Sequence, residues 1–111
     1  MAAIGWDDFA KVDVRVGRIV AAEPFPEARK RAYRLRIDFG PLGEKASSAQ
    51  VTKRYRPEDL VGRLVVAVVN FPPKRIAGFT SEVLVLGVMA AADDVVLLSP
   101  DREVPLGASV A

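Results

Sequence analysis

The chain has 111 residues and contains neither cysteine nor histidine. Without cysteine there is no disulfide, no thiolate nucleophile and no zinc–cysteine site, a composition that suits a cytosolic protein. Without histidine, a serine triad with an imidazole base, imidazole acid–base work and most zinc or iron sites are excluded. Long apolar runs are missing too. LVVAVV and VVLL fall far short of the roughly 20 residues that a membrane span needs. The start, MAAIGWDDFAKVD, lacks a basic region followed by an apolar one, so no targeting segment is expected. These features predict a cytoplasmic protein with no membrane insertion.

The catalytic inventory is equally thin. No glycine-rich loop is spaced to cradle a phosphate. Asp7-Asp8 and Asp93-Asp94 are adjacent acids, and neighbours on a strand point to opposite faces. Ser47, Ser48 and Ser81 have no histidine partner and read as hydrogen-bonding or small strand residues. No cofactor or metal is expected. The sequence reads as a binding module, not an enzyme.

What is present supports one globular domain over residues 1–111. Half the residues are hydrophobic and 27% are charged, which separates the chain from disordered sequences. Roughly two-thirds of the unfolded surface can be buried at this length, enough for a core without cross-links. Net charge is only +2, which does not by itself indicate nucleic acid. Arginine outnumbers lysine, 11 to 5, and asparagine and glutamine occur once each; this leans weakly towards a heat-adapted source.

Hydrophobic periodicity then orders the elements. Trp6 to Phe9 reads as one helical turn with acids near its start. Val12, Val14 and Val16 alternate with Asp13, Arg15 and Gly17 and continue to Ala22, a long strand with one buried face. Gly17 is expected to mark a bend or bulge in it, and Pro24 and Pro26 end it. Tyr33, Leu35, Ile37 and Phe39 form the alternating face of a second strand. Gly40 to Gly43 is a turn, and Glu44 to Thr52 a third strand. Pro57 to Leu60 starts a short helix closed by Gly62. Leu64 to Val69 is a buried fourth strand and Ser81 to Val88 a fifth. Val95–Leu98 and Glu103–Val104 add short strands after it. Three strands, a helix and two strands is the ground plan of an all-β OB-fold, a five-stranded, partly open barrel that binds ligands on strands two and three and in the loops joining strands 1–2 and 4–5.

The 4–5 loop is the unusual feature. NFPPKRIAGFTS, Asn70 to Ser81, is too stiff for a linker and too apolar for an ordinary solvent loop. Pro72 and Pro73 hold one shape and lower the entropy lost on binding, and Gly78 permits a tight turn. Asn70 ends a buried strand; its amide either fixes the loop through backbone groups, as asparagine does at turns, or faces a ligand. Phe71, Ile76 and Phe79 are either lids on the core or an apolar binding surface. The cations cluster near the same loops: Arg29, Lys30 and Arg31 in the 1–2 loop, Arg34 and Arg36 along strand two, Lys53, Arg54 and Arg56 around Tyr55, and Lys74 and Arg75 in the 4–5 loop. The acids gather elsewhere in the sequence. Cations interleaved with Tyr33, Tyr55, Phe71 and Phe79 suit phosphate contact with base stacking; Arg34 and Arg36 are alternatively the solvated side of an amphipathic strand.

Three motifs, D-x-R-V-G-x-I at Asp13–Ile19, S-S-A-Q at Ser47–Gln50 and N-x-P-P-K-x-I-x-G-x-x-S-E-V-L at Asn70–Leu84, recur in this order in a known group. The chain resembles, over nearly its whole length, the CsaA proteins. These are relatives of the tRNA-binding domain found at the C-terminus of methionyl-tRNA synthetases and in the EMAP II cytokine. The resemblance implies a homodimer of OB-folds, joined through the N-terminal turn and the segment after strand five. It implies an ATP-independent chaperone linked to protein export, with unfolded precursor proteins and the SecA motor as partners. The wider family implies tRNA as the alternative ligand, bound by its shape, and the two activities need not exclude each other. The implied peptide- or tRNA-binding residues are Asn70, Phe71, Pro72, Lys74, Arg75, Ile76, Phe79 and Ser81, with Arg29, Lys30, Arg31, Arg34, Lys53 and Arg54. The tRNA-binding relatives usually carry Gly-Met where this chain has Glu82-Val83, and Arg31 stands where CsaA-like sequences more often have proline. Glu82 adds negative charge near the RNA path and shifts the expectation from RNA towards peptide.

Overall fold

A computed structural model describes residues 1–111. Its main sheet has five strands in the order β3-β2-β1-β4-β7. The strands are β1 (Val14–Pro24), β2 (Tyr33–Asp38), β3 (Glu44–Ala49), β4 (Leu64–Val68) and β7 (Leu84–Val85). The first half of β1 pairs with β4, Val14 opposite Val68, and the second half with β2, Pro24 opposite Tyr33. One long strand shared between two partners must coil. The register shift that lets it do so lies between Ile19 and Ala21, not at Gly17.

Gly17 serves packing instead. A Cβ there would lie 2.6 Å from Ile37 Cγ2 and 2.8 Å from the Phe39 ring. Only a bare backbone lets these side chains cross the strand. Around them the core gathers the inward strand positions Ile19, Leu35, Ile37, Val65 and Ala67, with Phe39, Leu60 and Val83 from the segments between. The helix α2 (Pro57–Leu60) plugs the barrel with Leu60, which is wholly buried. The Asp59 carboxylate accepts a bond from Arg56 N at 3.0 Å and secures the start of α2. The helix α1 (Trp6–Ala10) buries none of its residues.

Three expectations need correction. The fifth strand is not continuous from Ser81 to Val88. It splits into β6 (Phe79–Ser81), β7 and β8 (Gly87–Ala91) because the chain must cross from one barrel edge to the other. Ser81 Oγ accepts from Ser48 N at 3.0 Å, Glu82 N donates to Ala46 O at 2.8 Å, and Ser47 Oγ donates to Val83 O at 3.0 Å. Three residues later Leu86 N donates to Val66 O on β4 at 2.8 Å. The segment therefore seals the barrel seam, with side chains replacing ladder bonds on the β3 side. Glu103–Val104 forms no strand. Instead residues 107–110 run beside β1, with Val16 N donating to Ala108 O and Val110 N to Val14 O. Finally, β3 stops at Ala49 rather than running on to Thr52, whereas β1 ends at Pro24 as the sequence predicts; β9 (Asp94–Leu97) pairs with β8 as a separate hairpin.

The architecture is a nearly closed antiparallel barrel of the OB type with two short helices. No helix is long and apolar enough to cross a membrane.

Candidate functional site

The 4–5 segment is a projecting hairpin. β5 (Lys74–Ile76) pairs with β6, Ile76 opposite Phe79, across the turn Ala77–Gly78. Both turn residues have positive φ, 47° and 82°, the requirement of a type I′ turn. Asn70 roots the hairpin: its Oδ1 accepts from Asp13 N at 2.9 Å and its Nδ2 donates to Lys11 O at 2.7 Å. Both ends of the amide are thus spent on the junction between α1 and β1. Ser81 is spent at the other end, on the barrel seam. Phe71 is 52% exposed, and Pro72 and Lys74 are also exposed. Arg75 donates to Thr80 Oγ1 across the hairpin at 2.7 Å.

Phe79 is half-buried against Phe25, ring centroids 5.4 Å apart in an edge-to-face arrangement. Phe25 is buried at the base of the 25–32 loop, and Arg34 covers its ring at 5.2 Å. Arg34 Nε lies 3.1 Å from Glu23 Oε1 at an angle that leaves its N–H without an accepting partner. The hairpin thus packs on the platform that carries Arg29, Lys30 and Arg31.

Beyond that platform opens a cleft of about 1140 Å³. Arg29, Lys30 and Arg31 form one rim, Ser48 to Lys53 follow the end of β3, and Leu84, Leu86, Met89 and Val95 supply apolar walls. Leu84 and Met89 are exposed, Met89 to 62%. A surface of this kind, apolar and rimmed by charge, is the usual form of an interaction site.

The cations do not act as one set. Lys53 Nζ lies 3.5 Å from Asp93 Oδ1, and Arg54 forms a two-point pair with Asp94. Arg36 stands 3.6 Å from Glu44, and Arg56 pairs with Glu58 and Asp59. The acids distant in sequence have folded back onto the cations. The Arg54 hydrogen bond and charge hold the Asp94 carboxyl below its usual range, and Asp94 in turn raises Arg54. Arg29, Lys30, Arg31, Lys74 and Arg75 take part in no ion pair. The predicted residues therefore fall into four groups: exposed ones on the hairpin and the 29–31 rim, the half-buried Ile76 and Phe79 of the hairpin, neutralised ones at Arg34, Lys53 and Arg54, and structural ones at Asn70 and Ser81. The sequence reading missed Phe25 and the apolar walls at Leu84, Leu86, Met89 and Val95. Met89 within an otherwise small, apolar strand is the one local signal that points to them.

A second apolar surface lies at the N-terminus. Ile4, Trp6, Phe9, Val12 and Val110 are exposed, Trp6 to 80%. Trp6 and Phe9 meet edge-to-face at 6.0 Å. They line a shallow depression of about 560 Å³ with Asn70 and the C-terminal Ser109 to Ala111.

Comparison with known proteins agrees with this geometry. The family described as "Putative tRNA binding domain" matches residues 14–109. The chaperone CsaA of Bacillus anthracis str. Ames is 59% identical over 99% of this chain and 100% of its own, with a TM-score of 0.95. CsaA of Picrophilus torridus is 49% identical over 98% of this chain and 100% of its own, with a TM-score of 0.90. A methionine–tRNA ligase of Pyrococcus abyssi is 43% identical over 96% of this chain, which spans only 14% of the ligase. The barrel, the rooted hairpin and a match over almost the whole length place the chain in the tRNA-binding-domain family.

Proposed function

We infer that the protein is a dimeric, ATP-independent chaperone of the CsaA kind that holds extended segments of unfolded precursor proteins on the export route. One observation carries the reading: an open cleft walled by Leu84, Leu86, Met89 and Val95 stands beside a rim of unpaired cations. Apolar side chains of a client enter the cleft, and Arg29, Lys30 and Arg31 engage its polar or acidic flanks and speed encounter. Phe71 and Lys74 on the hairpin extend the surface. Release is by exchange, since no phosphate-cradling loop occurs in the sequence. The whole-length similarity to two CsaA chaperones supports this reading. The exposed N-terminal surface around Trp6 fits the homodimer contact.

The test is binding of a fluorescent denatured precursor to wild type and to Leu84→Ser, Met89→Ser, Phe71→Ala and Lys74→Glu. Each of the first two is expected to weaken binding several-fold. If all four bind as well as wild type, the site is wrong.

The second reading is shape-specific tRNA binding, favoured by the family match and the unpaired cations of the rim and hairpin, Arg29, Lys30, Arg31, Lys74 and Arg75. It requires a steep salt dependence, each phosphate contact adding about 0.7–0.9 to the log–log slope. No measurable affinity at physiological salt rejects it. Competition between tRNA and a bound precursor peptide shows whether one surface serves both.

A further inference from the structure

The β8–β9 hairpin stands apart from the main sheet. At its base Leu97 N donates to the Tyr55 hydroxyl at 3.1 Å, and Leu98 N to Leu86 O at 3.2 Å just beyond. At its tip the polar attachments are Asp93 to Lys53 and Asp94 to Arg54. Both pairs span 40 residues of sequence and lie at the edge of the cleft, which Lys53 and Asp93 both line. The Asp94 side chain is only 15% exposed, whereas that of Asp93 is 84% exposed. Arg54 meets both oxygens of Asp94, the fork geometry with which arginine also grips a phosphate.

We propose that Asp93 and Asp94 are specificity determinants of this cleft: they occupy Lys53 and Arg54 as an internal substitute for phosphate, and so turn the cleft against polyanions while leaving its apolar walls open. Two cations that would extend the basic rim from Arg29–Arg31 along the end of β3 are withdrawn from any external anion. A nucleic acid must break both pairs to use them; an uncharged apolar segment need not. The proposal rests on the cleft being the ligand site, as argued above.

The experiment compares wild type with the double variant Asp93→Asn/Asp94→Asn, which keeps side-chain shape and removes both charges. The probes are bulk tRNA and a fluorescent, unstructured peptide of apolar and uncharged residues. The variant is expected to bind tRNA at least about fivefold more tightly at low salt, with a log–log salt slope steeper by up to about 1.8, two contacts at roughly 0.9 each. Because the peptide carries no charge to meet the freed cations, its affinity is expected to change by less than that for tRNA. Adding Lys53→Gln and Arg54→Gln to the variant must abolish the tRNA gain. A gain that survives does not come from the freed cations, since the fourfold variant has the net charge of wild type, and it overturns the proposal. An equal gain in Asp101→Asn/Glu103→Gln, which removes two acids outside the cleft lining, shows only a general effect of net charge and overturns it too. So does an unchanged tRNA affinity and slope in a variant that unfolds at the wild-type temperature. Absence of peptide binding in wild type and variant alike instead rejects the chaperone reading, whatever the tRNA arm shows.

Discussion

The N-terminal surface makes the quaternary state quantitative. Trp6 is the single tryptophan of the chain and is 80% exposed. A buried tryptophan removes up to about 250 Å² from water, so roughly 200 Å² of this one is open to solvent in the single chain. In a two-fold interface each residue is used twice. If half of that surface is covered, a dimer hides about 200 Å² through the two Trp6 side chains, worth ~5 kcal/mol at ~25 cal/mol per Å². Trp6→Ser should therefore raise the dimer dissociation constant by roughly 10³- to 10⁴-fold. Because α1 buries nothing within its own chain, the fold should be untouched and the circular dichroism unchanged. Sedimentation velocity from nanomolar to high micromolar protein reads the association, and the Trp6 emission gives an independent signal, shifting to the blue as concentration rises. A wild type that stays monomeric with constant emission refutes the reasoning. So does a Trp6→Ser variant that still sediments as a dimer.

Gly17→Ala forces a methyl group into Ile37 and Phe39 and should cost about 1–3 kcal/mol as overpacking, read as a fall of roughly 5–15 °C in melting temperature; an unchanged value contradicts the close approach. Asn70→Ala removes two hydrogen bonds and should lose about 1–2 kcal/mol in urea unfolding, with the peptide affinity of the folded protein unchanged; the reverse pattern would make Asn70 a ligand contact. Asp94 and Asp59 both have lowered pKa values, from hydrogen bonds to Arg54 and to the Arg56 backbone. A lowered carboxyl stabilises the fold above its unfolded value of about 3.9 and loses that effect as pH falls through the folded value. Melting temperature should be flat in this respect above about pH 5 and fall below about 4, less steeply in Asp94→Asn; equal slopes would show that the pair does not report on folding.

Most of the barrel was legible where one face of a strand is buried. Leu35, Ile37 and Phe39 are inward and Arg36 outward, so alternation alone placed β2. Pro57 with Glu58 and Asp59 marked α2 because first-turn chemistry is local. The break in the fifth strand was not legible. Ser81 and Glu82 leave the ladder to close a seam with residues 46–48, and no period within the segment encodes a partner over 30 residues away. The hairpin 74–81 reads from sequence only as a stiff loop, although Ala77-Gly78 between two short apolar-polar runs carries the turn. The site suffered most from non-local pairing. Cations read as a basic face are in part neutralised by acids 40 positions later, and complementary doublets in sequence do not reveal which will meet.

That pairing also relocates the reason for favouring peptide over RNA. From sequence, the charge of Glu82 is expected to repel phosphate. Yet Glu82 Oε1 accepts from Ala46 N at 3.0 Å while Glu82 N donates to Ala46 O at 2.8 Å. The side chain is half-buried and clips the barrel shut, so its acceptor matters more than its charge. Glu82→Gln keeps an acceptor oxygen for Ala46 N and removes the charge. It should therefore change stability by less than about 1 kcal/mol and leave tRNA affinity within about twofold, or roughly 0.4 kcal/mol. The discriminating charges sit instead across the cleft, at Asp93 and Asp94. If filter binding showed Glu82→Gln gaining more tRNA affinity than Asp93→Asn/Asp94→Asn, the barrel seam and not the cleft edge would set the choice of ligand.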